Sequence, residues 1–270
     1  MGWMELRGVL VGVVHLLALP GSPGWRGSMG PILDRAVEDA RAYASGGAGA
    51  LIVENYADAP FLKEGLAPET IAAFSCCAAA VREAVDLPVG INALRNDARA
   101  ALGIALAVEA RFIRVNVHAG VVATDQGLIE GRAGETLRAR AALGADIEIL
   151  ADVHVKHGRP LFSESIVRAA QDLVERGGAD ALVVSGAATG SPTDPKELRA
   201  VREALPEAFL LAGSGVDPSN LDAILAHADA VIVGTALKRG SKTTAPVDKA
   251  RVSAFVKTLQ AARRRSGRFR

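Results

Sequence analysis

The ionisable residues with the clearest chemical potential follow one apolar stretch in the middle of the chain. Residues 147–151 are mostly apolar and rich in β-branched side chains, as in a strand buried on both faces, and Asp152, His154 and Lys156 come next. Side chains alternate along a strand, so we expect Asp152, His154 and, if the strand continues, Lys156 to point in one direction. A carboxylate, an imidazole and an amine on one face would form an acid/base set.

Apolar strand-like runs alternate with amphipathic helix-like runs along the whole chain. Strands are predicted at residues 9–15, 50–54, 88–92, 112–117, from 147 onward, and at 181–185, 208–212 and 230–233. Helices are predicted at residues 32–45, 68–85, 97–108, 132–143, 164–176, 195–204, 218–226 and 248–262. Eight strand–helix units without a linker predict the α/β class and a single (β/α)8 TIM barrel. A doubly wound open sheet fits less well, because no G-x-G-x-x-G follows the first strand.

Polar side chains end the predicted strands, where the longer strand-to-helix loops begin. In a barrel this end is the C-terminal face, where active sites lie. Burying so many polar groups without a use is costly, so we expect them to converge on one site. In chain order, from strands one to six, they are His15, Glu54, Asn92, Asn116, Asp152, His154 and Ser185.

Glycine and hydroxyl residues follow the last strands. Glycines at these strand ends let backbone amides approach an anion, and TIM barrels often hold a phosphate between the loops after strands seven and eight. We therefore predict a phosphate-binding site after strands 7 and 8, completed by the loop after strand 6. Its residues are Ser185, Gly186, Gly213, Ser214, Gly215, Gly234 and Thr235. Arg95 and Arg114 are candidates for a second phosphate or carboxylate contact, or for salt bridges at the rim.

The sequence leaves the question of a metal open. Glu54, Asp152, His154 and His15 are of the types that bind a divalent ion, but no H-x-H or H-E-x-x-H pattern accompanies them. The sequence identifies no cofactor with certainty, and a divalent metal is kept as an alternative. Lys156 could instead form a Schiff base with a carbonyl substrate, or it could be an exposed lysine in a loop.

Composition narrows the classes of function. The net charge of +1 argues against a general nucleic-acid binder. No run reaches the roughly 20 apolar residues that membrane insertion needs. The adjacent Cys76 and Cys77 are expected to be reduced thiols, which indicates a cytoplasmic protein. The basic residues 263–270 are expected to form a disordered tail.

Several strings of residues resemble the BtpA/SgcQ family. They are VHLLALPGSP at 14–23, ENYADAPF at 54–61, GINALRND at 90–97, FIRVNV at 112–117, TDQG at 124–127, ADVHVKH at 151–157 and SGAATG at 185–190. Trp25 stands where the family pattern has Tyr. The resemblance implies a barrel over residues 1–262 that is similar to ribulose-phosphate-binding barrels. It implies no single function, because the family is named for a member needed to accumulate photosystem I in cyanobacteria, while other members look like proteins of sugar or nucleoside metabolism.

Two hypotheses for function follow. In the first, an enzyme acts on a phosphorylated small molecule, either a ribose phosphate or a nucleotide. Glu54 or Asp152 would act as base or stabilise a positive charge on the sugar, and His154 would protonate the leaving group. The substrate-binding residues would be His15, Asn92, Asn116 and Lys156. Glycosidic-bond cleavage is the favoured chemistry, and sugar-phosphate isomerisation comes next. In the second hypothesis, a non-catalytic assembly or stability factor of the photosystem I type uses an outer face of the barrel. We expect a homo-oligomer.

Overall fold

A closed barrel of parallel strands forms the centre of the molecule. The computed structural model describes residues 6–63, 65–162, 165–186, 192–213 and 215–269. Within these ranges the strands are β1 (Leu10–His15), β2 (Ala50–Glu54), β3 (Val89–Asn92), β4 (Phe112–Val115), β5 (Val121–Thr124), β6 (Gly127–Glu130), β7 (Glu148–Asp152), β8 (Gly158–Pro160), β9 (Ala181–Ser185), β10 (Phe209–Gly213) and β11 (Ala230–Val233). Eight of these described strands close the barrel in the order β1-β11-β10-β9-β7-β4-β3-β2. The predicted (β/α)8 TIM barrel is confirmed.

Helices alternate with the barrel strands and cover the outside of the barrel. In the described ranges they are α1 (Gly30–Gly46), α2 (Pro68–Ala84), α3 (Ala98–Ala107), α4 (Ala133–Ala142), α5 (Ile166–Gln171), α6 (Pro195–Ala204), α7 (Leu221–Leu225) and α8 (Lys249–Ser266). A π-helical turn over Asp172–Arg176 follows α5. No helix among the described residues combines the length and the apolar character needed to cross a bilayer.

The last helix is longer than the sequence predicted. It extends to Ser266 instead of ending at residue 262, so residues 263–266 are helical and are not part of a disordered tail. The helix ends at Gly267, whose φ of +68° forms a left-handed cap, and Arg265 in its last turn donates hydrogen bonds of 2.8 and 2.9 Å to the two carboxylate oxygens of Asp222 in α7. Beyond the helix, Arg268 donates to the carbonyls of Leu225 and Ala228.

Side-chain alternation divides the core into an inner and an outer layer. Inside the barrel, Val11, Val13, Ile52, Phe112 and Leu150 belong to one apolar cluster. Side chains of opposite parity pack between the strands and the helices in a larger cluster. At the C-terminal ends of the strands the inward positions change from apolar to polar. The inward polar residues are His15, Glu54, Asn92, Arg114 and Asp152, two positions after Val13, Ile52, Gly90, Phe112 and Leu150, respectively.

A small antiparallel sheet lies above the mouth of the barrel, where the sequence predicted a long loop. Its strands are ordered β6-β5-β8, and β8 belongs to the loop that follows β7. Ile129 and Val122 turn towards the barrel and pack with Val117 and Val155. The β5–β6 turn needs Gly127, whose φ is +95°. The sheet therefore joins the loop after β4 to the loop after β7.

Candidate functional site

Two cavities open at the C-terminal mouth of the barrel in the described part of the chain. The first, of about 300 Å³, we call the glycine chamber; residues found only in its lining include His15, Gly215, Asp217, Gly234 and Thr235. The second, of about 220 Å³, we call the aspartate chamber; residues found only in its lining include Phe61, Arg95, Asn116, Asp152 and His157. Both chambers are lined by Glu54, Tyr56, Arg114 and Lys156. The chambers are therefore neighbours that share one wall.

Glu54 lies at the junction of the chambers, and the strand register explains its neighbours. His15 of β1 pairs with Glu54 of β2, which in turn pairs with Asn92 of β3, so the three side chains lie side by side. Asn92 Nδ2 donates a 2.7 Å hydrogen bond to Glu54 Oε2. Glu54 Oε1 lies 3.6 Å from His15 Nε2. Asn92 lines neither chamber, so it orients Glu54 from behind.

Asp152 forms a buried ion pair with Arg114. Arg114 Nε and Nη2 donate to the two oxygens of Asp152 at 2.9 and 3.0 Å, and Asn116 Nδ2 donates a third bond at 2.9 Å. The side chains of Arg114 and Asp152 are 4% and 0% exposed. Both carboxylate oxygens of Asp152 are thus occupied by hydrogen-bond donors of the protein. Asn116 Oδ1 has no partner among the described residues and remains able to accept from a ligand.

His15 is uncharged at neutral pH. Burial, followed by the nearby charge of Lys238, lowers the pKa of His15 well below 6.5. The ring stacks edge to face against Tyr56, with the centroids 4.9 Å apart. His15 Nδ1 is buried without a hydrogen-bond partner in the part of the chain that the structure describes. His15 can therefore orient Glu54 or a ligand without adding charge to the site.

Lys156 places an amine on the wall shared by the chambers. Burial, and then the neighbouring charge of Arg114, lowers the pKa of Lys156 from 10.5 to about 8, although Asp152 and Glu54 oppose this. The backbone at this position is fixed, because Arg95 Nη2 donates a 2.6 Å hydrogen bond to the carbonyl of Lys156. The sequence-based alternative of an exposed loop lysine does not fit this half-buried position.

His154 lies outside both chambers, which corrects the expected placement. The strand β7 ends at Asp152, so the alternation that would have carried His154 to the mouth stops before it. His154 lines neither cavity, and its Nε2 is buried without a partner among the described residues. The structure brings Asp152 and Lys156 together but does not place His154 as a proton donor beside them.

The predicted phosphate residues separate into two groups. Gly215, Gly234 and Thr235 line the glycine chamber together with Ser241, whereas Ser185, Gly186 and Gly213 do not. Gly213 instead allows close packing, because a Cβ there would lie 2.6 Å from Val183 Cγ1 and 2.9 Å from Ser185 Oγ. Ser214 lies outside the described residues, as do residues 187–191 of the loop after β9.

The loop after β10 differs from its prediction in a way that affects anion binding. A helix was expected at residues 218–226, but α7 spans only Leu221–Leu225, and none of its residues lines the glycine chamber. Asp217 of this loop lines the glycine chamber. Hydrogen bonds from the hydroxyl and backbone N–H of Ser219 and from the N–H of Asn220 lower the pKa of Asp217. The groups in this lining that could donate to an anion are the backbone amides of Gly215 and Gly234, the hydroxyls of Thr235 and Ser241, and the side chains of Arg114 and Lys156.

Asparagine side chains tie the loops of the mouth to one another, a role that sequence reasoning missed. Asn55 donates to the carbonyl of Leu94 at 3.3 Å and accepts from its N–H at 2.8 Å. Asn96 binds both backbone groups of Val117 in the same way, at 2.9 and 2.8 Å. Asp58, whose pKa is raised by burial, accepts from Asn55 at 2.9 Å and from the N–H of Leu19 at 2.8 Å. These bonds join the loops that follow the first four barrel strands.

A second buried ion pair was also missed. Lys238, which is 0% exposed, lies 3.3 Å from Asp39 Oδ2, while the N–H of Val247 donates to Asp39 Oδ1 at 2.7 Å. Asp39 stands on the apolar face of α1 between Ala36 and Ala40, and that placement is the signal that could have revealed it. The pair attaches α1 to the segment after β11.

The donor set gives no support to a metal centre in the described residues. No group of three or more His, Cys, Asp and Glu side chains in these ranges is arranged to hold a metal ion. Of the four candidate ligands, Asp152 is bound to Arg114 and His154 lies away from the mouth.

Relatives of known name cover nearly the whole chain. The sequence matches the BtpA family over residues 7–261. It is 46% identical over 250 residues to the photosystem I biogenesis protein BtpA of Synechocystis sp., a match that covers 93% of this chain and 87% of that relative. It is 32% identical over 271 residues to the putative sgc region protein SgcQ of Escherichia coli, covering 98% of this chain and 100% of that relative.

Solved structures with the same fold are more distant in sequence. Phosphoribosyl anthranilate isomerase from Thermus thermophilus has a TM-score of 0.57 at 14% identity, covering 94% of this chain and 98% of that chain. The 2-keto-3-deoxy-6-phospho-gluconate aldolase from Zymomonas mobilis has a TM-score of 0.54 at 14% identity, covering 97% of both chains. At this identity the likeness shows the TIM-barrel fold alone. The match over residues 7–261 and the relatives at 46% and 32% identity establish that the chain belongs to the BtpA family.

Proposed function

We propose that this protein is an enzyme that transfers a proton at the carbon beside a carbonyl group in a small phosphorylated sugar or related compound. The observation that carries the proposal is the position of Glu54 on the wall between the two chambers. Asp152 is neutralised by Arg114, and Asp217 is held by Ser219, so Glu54 is the carboxylate in the described lining best suited to act as a base.

The two chambers suggest how such a substrate would lie. Its phosphate would occupy the glycine chamber, bound by the backbone amides at Gly215 and Gly234 and by the Thr235 hydroxyl. Its hydroxyls would extend into the aspartate chamber, where Asn116 Oδ1 can accept a hydrogen bond. Cavities of about 300 and 220 Å³ suit a small molecule of pentose-phosphate size better than a large cofactor.

Proton transfer would then proceed in two steps. Glu54 would remove a proton from the carbon beside the carbonyl, and the negative charge would move to the carbonyl oxygen. The Arg114 guanidinium and the Lys156 side chain lie on the same wall and would stabilise that charge. Glu54 would return the proton to the former carbonyl carbon while the hydroxyl proton of the neighbouring carbon moves to the former carbonyl oxygen, which completes an isomerisation without net gain or loss of atoms. Two relatives by fold carry names that include a phosphorylated sugar or sugar acid, which supports this class of substrate.

Glycosidic-bond cleavage, the chemistry favoured from the sequence, takes second place. It uses one carboxyl as acid and another as base or nucleophile. Here one of the two expected carboxylates, Asp152, is bound by three hydrogen-bond donations, and the expected proton donor His154 lies elsewhere. Isomerisation needs the single carboxylate that the wall provides.

The test is exchange of substrate hydrogen with solvent deuterium. Pentose and hexose phosphates would first be screened by thermal shift, since a ligand at 100 times its dissociation constant stabilises by about 2.7 kcal/mol. Compounds that bind would be incubated in deuterated buffer and followed by proton NMR at the carbon beside the carbonyl. We expect Glu54→Gln to slow exchange by about 10²–10⁴-fold, while the exposed control Glu207→Gln retains it. Exchange at the wild-type rate in Glu54→Gln would refute the assignment.

A non-catalytic role remains the second candidate because of one surface feature. The small sheet and the residues after it expose Leu128, Leu161 and Phe162, the last of these by 72%. A relative is named for photosystem I biogenesis, and such residues could contact a partner or a second copy of the chain. Absence of a thermal shift with every phosphate compound would favour this role. The expected homo-oligomer stays a prediction, which light scattering on the purified protein would test.

A further inference from the structure

We propose that Lys156 is a covalent catalyst whose side-chain amine condenses with the carbonyl carbon of the bound phosphorylated compound. This inference rests on the proposed function and specifies its chemistry. Lys156 stands on the wall shared by both chambers, beside Glu54 and Arg114, where a carbonyl between the phosphate and the hydroxyls would lie.

The surroundings of Lys156 leave its amine available for reaction. Within the described residues the amine makes no hydrogen bond or ion pair, although the backbone of Lys156 is fixed by Arg95. Lys238 shows the contrast at the same end of the barrel, because its amine is fully buried and paired with Asp39. Lys156 is half-buried and opens on both cavities, so it can reach a ligand that Lys238 cannot reach.

The charge state of Lys156 fits a nucleophile. At pH 8 about half of the Lys156 side chains are neutral, because burial and Arg114 lower the pKa to about 8. A lysine with the ordinary value of 10.5 is neutral in only about 0.3% of molecules at that pH. Desolvation and an adjacent cation are the two means by which proteins activate lysine amines.

The covalent steps balance without a further reagent. The neutral Nζ attacks the carbonyl carbon, a C–N bond forms, and the oxygen takes up a proton to give a carbinolamine. A second proton, supplied by solvent, lets that hydroxyl leave as water, and a positively charged iminium ion remains. Glu54 then removes the proton from the adjacent carbon, and the electron pair moves into the iminium to give a neutral enamine. Return of a proton to that same carbon restores the iminium ion, and addition of water then releases the compound, with its hydrogen exchanged or its configuration inverted at that carbon, and frees Lys156.

The experiment traps the iminium by reduction. Dihydroxyacetone phosphate and ribulose 5-phosphate would be incubated with the full-length protein at pH 8, sodium borohydride added, and the adduct located by peptide mass spectrometry. We expect one stable adduct on Lys156. Its yield should fall at least tenfold in Lys156→Arg and in Lys156→Met, and stay within twofold in Lys257→Arg, which changes an exposed lysine of α8. Adducts spread equally over surface lysines would overturn the proposal.

Two further readouts separate this inference from the proposed function. If a phosphate compound stabilises Lys156→Arg and wild type equally and deuterium exchange persists in the variant, the covalent role is refuted while Glu54 chemistry stands. If no compound binds, the proposed function fails, and the rate of amine acylation against pH then decides the question for Lys156. A midpoint near pH 8 supports an activated amine, whereas a midpoint equal to that of Lys257 refutes it.

Discussion

The Arg114–Asp152 pair should make a large and strongly coupled contribution to stability. Removing one partner of a buried ion pair leaves an uncompensated charge and costs about 3–5 kcal/mol. Three hydrogen bonds converge on Asp152, and both side chains are at most 4% exposed, so we expect this full cost for Arg114→Met and for Asp152→Asn. At about 2–4 °C per kcal/mol for a large domain, each variant should melt about 6–20 °C below wild type.

A double-mutant cycle distinguishes this expectation from simple loss of contacts. The Arg114→Met/Asp152→Asn protein buries no unpaired charge. Its free energy of unfolding should therefore fall by about 2 kcal/mol less than the sum of the falls in the two single variants. The measurement is urea unfolding followed by far-UV circular dichroism. The exposed helical pair Arg199 and Glu203, with side chains 64% and 68% exposed, provides the matched control and should change stability by less than about 0.5 kcal/mol when neutralised. The expectation would be refuted if either single variant lost less than about 1 kcal/mol of unfolding free energy, or if the two single losses added up to the loss in the double variant.

Three further predictions concern the site and its scaffold. Gly234→Ala places a Cβ 2.8 Å from His15 Cε1, so affinity for inorganic phosphate measured by calorimetry should fall at least tenfold; unchanged affinity would exclude Gly234 from the anion site. Because the pKa of His15 is lowered from 6.5, the unfolded chain takes up a proton at this side chain that the native state refuses. Stability should therefore fall as pH drops below about 6.5, and His15→Gln should make that fall shallower in urea midpoints between pH 7.5 and 5. A Cβ added at Gly103 in α3 would have no atom within 4 Å, so Gly103→Ala should stabilise the protein by about 0.5–1 kcal/mol in the same assay. Destabilisation by this substitution would contradict the prediction.

The barrel was predictable because its signals are local. Runs such as 50–54 and 181–185 are apolar on both faces, and the structure confirms them as strands at the same bounds. Boundaries were harder wherever a tertiary contact decides them. The pairing of β7 with β9 ends at Asp152, and this leaves His154 outside the lining of both chambers. The end of α8, in contrast, has a local signal, because Gly267 follows Ser266 with a φ of +68°.

The sequence predicted which residues line the site better than it predicted the chemical role of each one. Residue type and strand position identified Glu54, Asn116 and Asp152, all of which line the mouth. Which carboxylate stays available for chemistry depends on cross-strand partners, and Arg114 donates to Asp152 across the β4–β7 pairing. A single sequence does not reveal which carboxylate is paired, because the pairing depends on both the strand register and the length of the side chains.

The bonds that Asn55 and Asn96 make have a consequence for how this family could diversify. Each side-chain amide binds backbone groups of the next loop, at Leu94 and at Val117. These hydrogen bonds therefore do not depend on which side chain stands at those positions. The loops around the mouth can thus keep their arrangement when side chains near these hydrogen bonds are substituted. Substitutions facing the cavities could retune which molecule is accepted while the rim keeps its shape, and one scaffold could serve hosts with very different metabolisms.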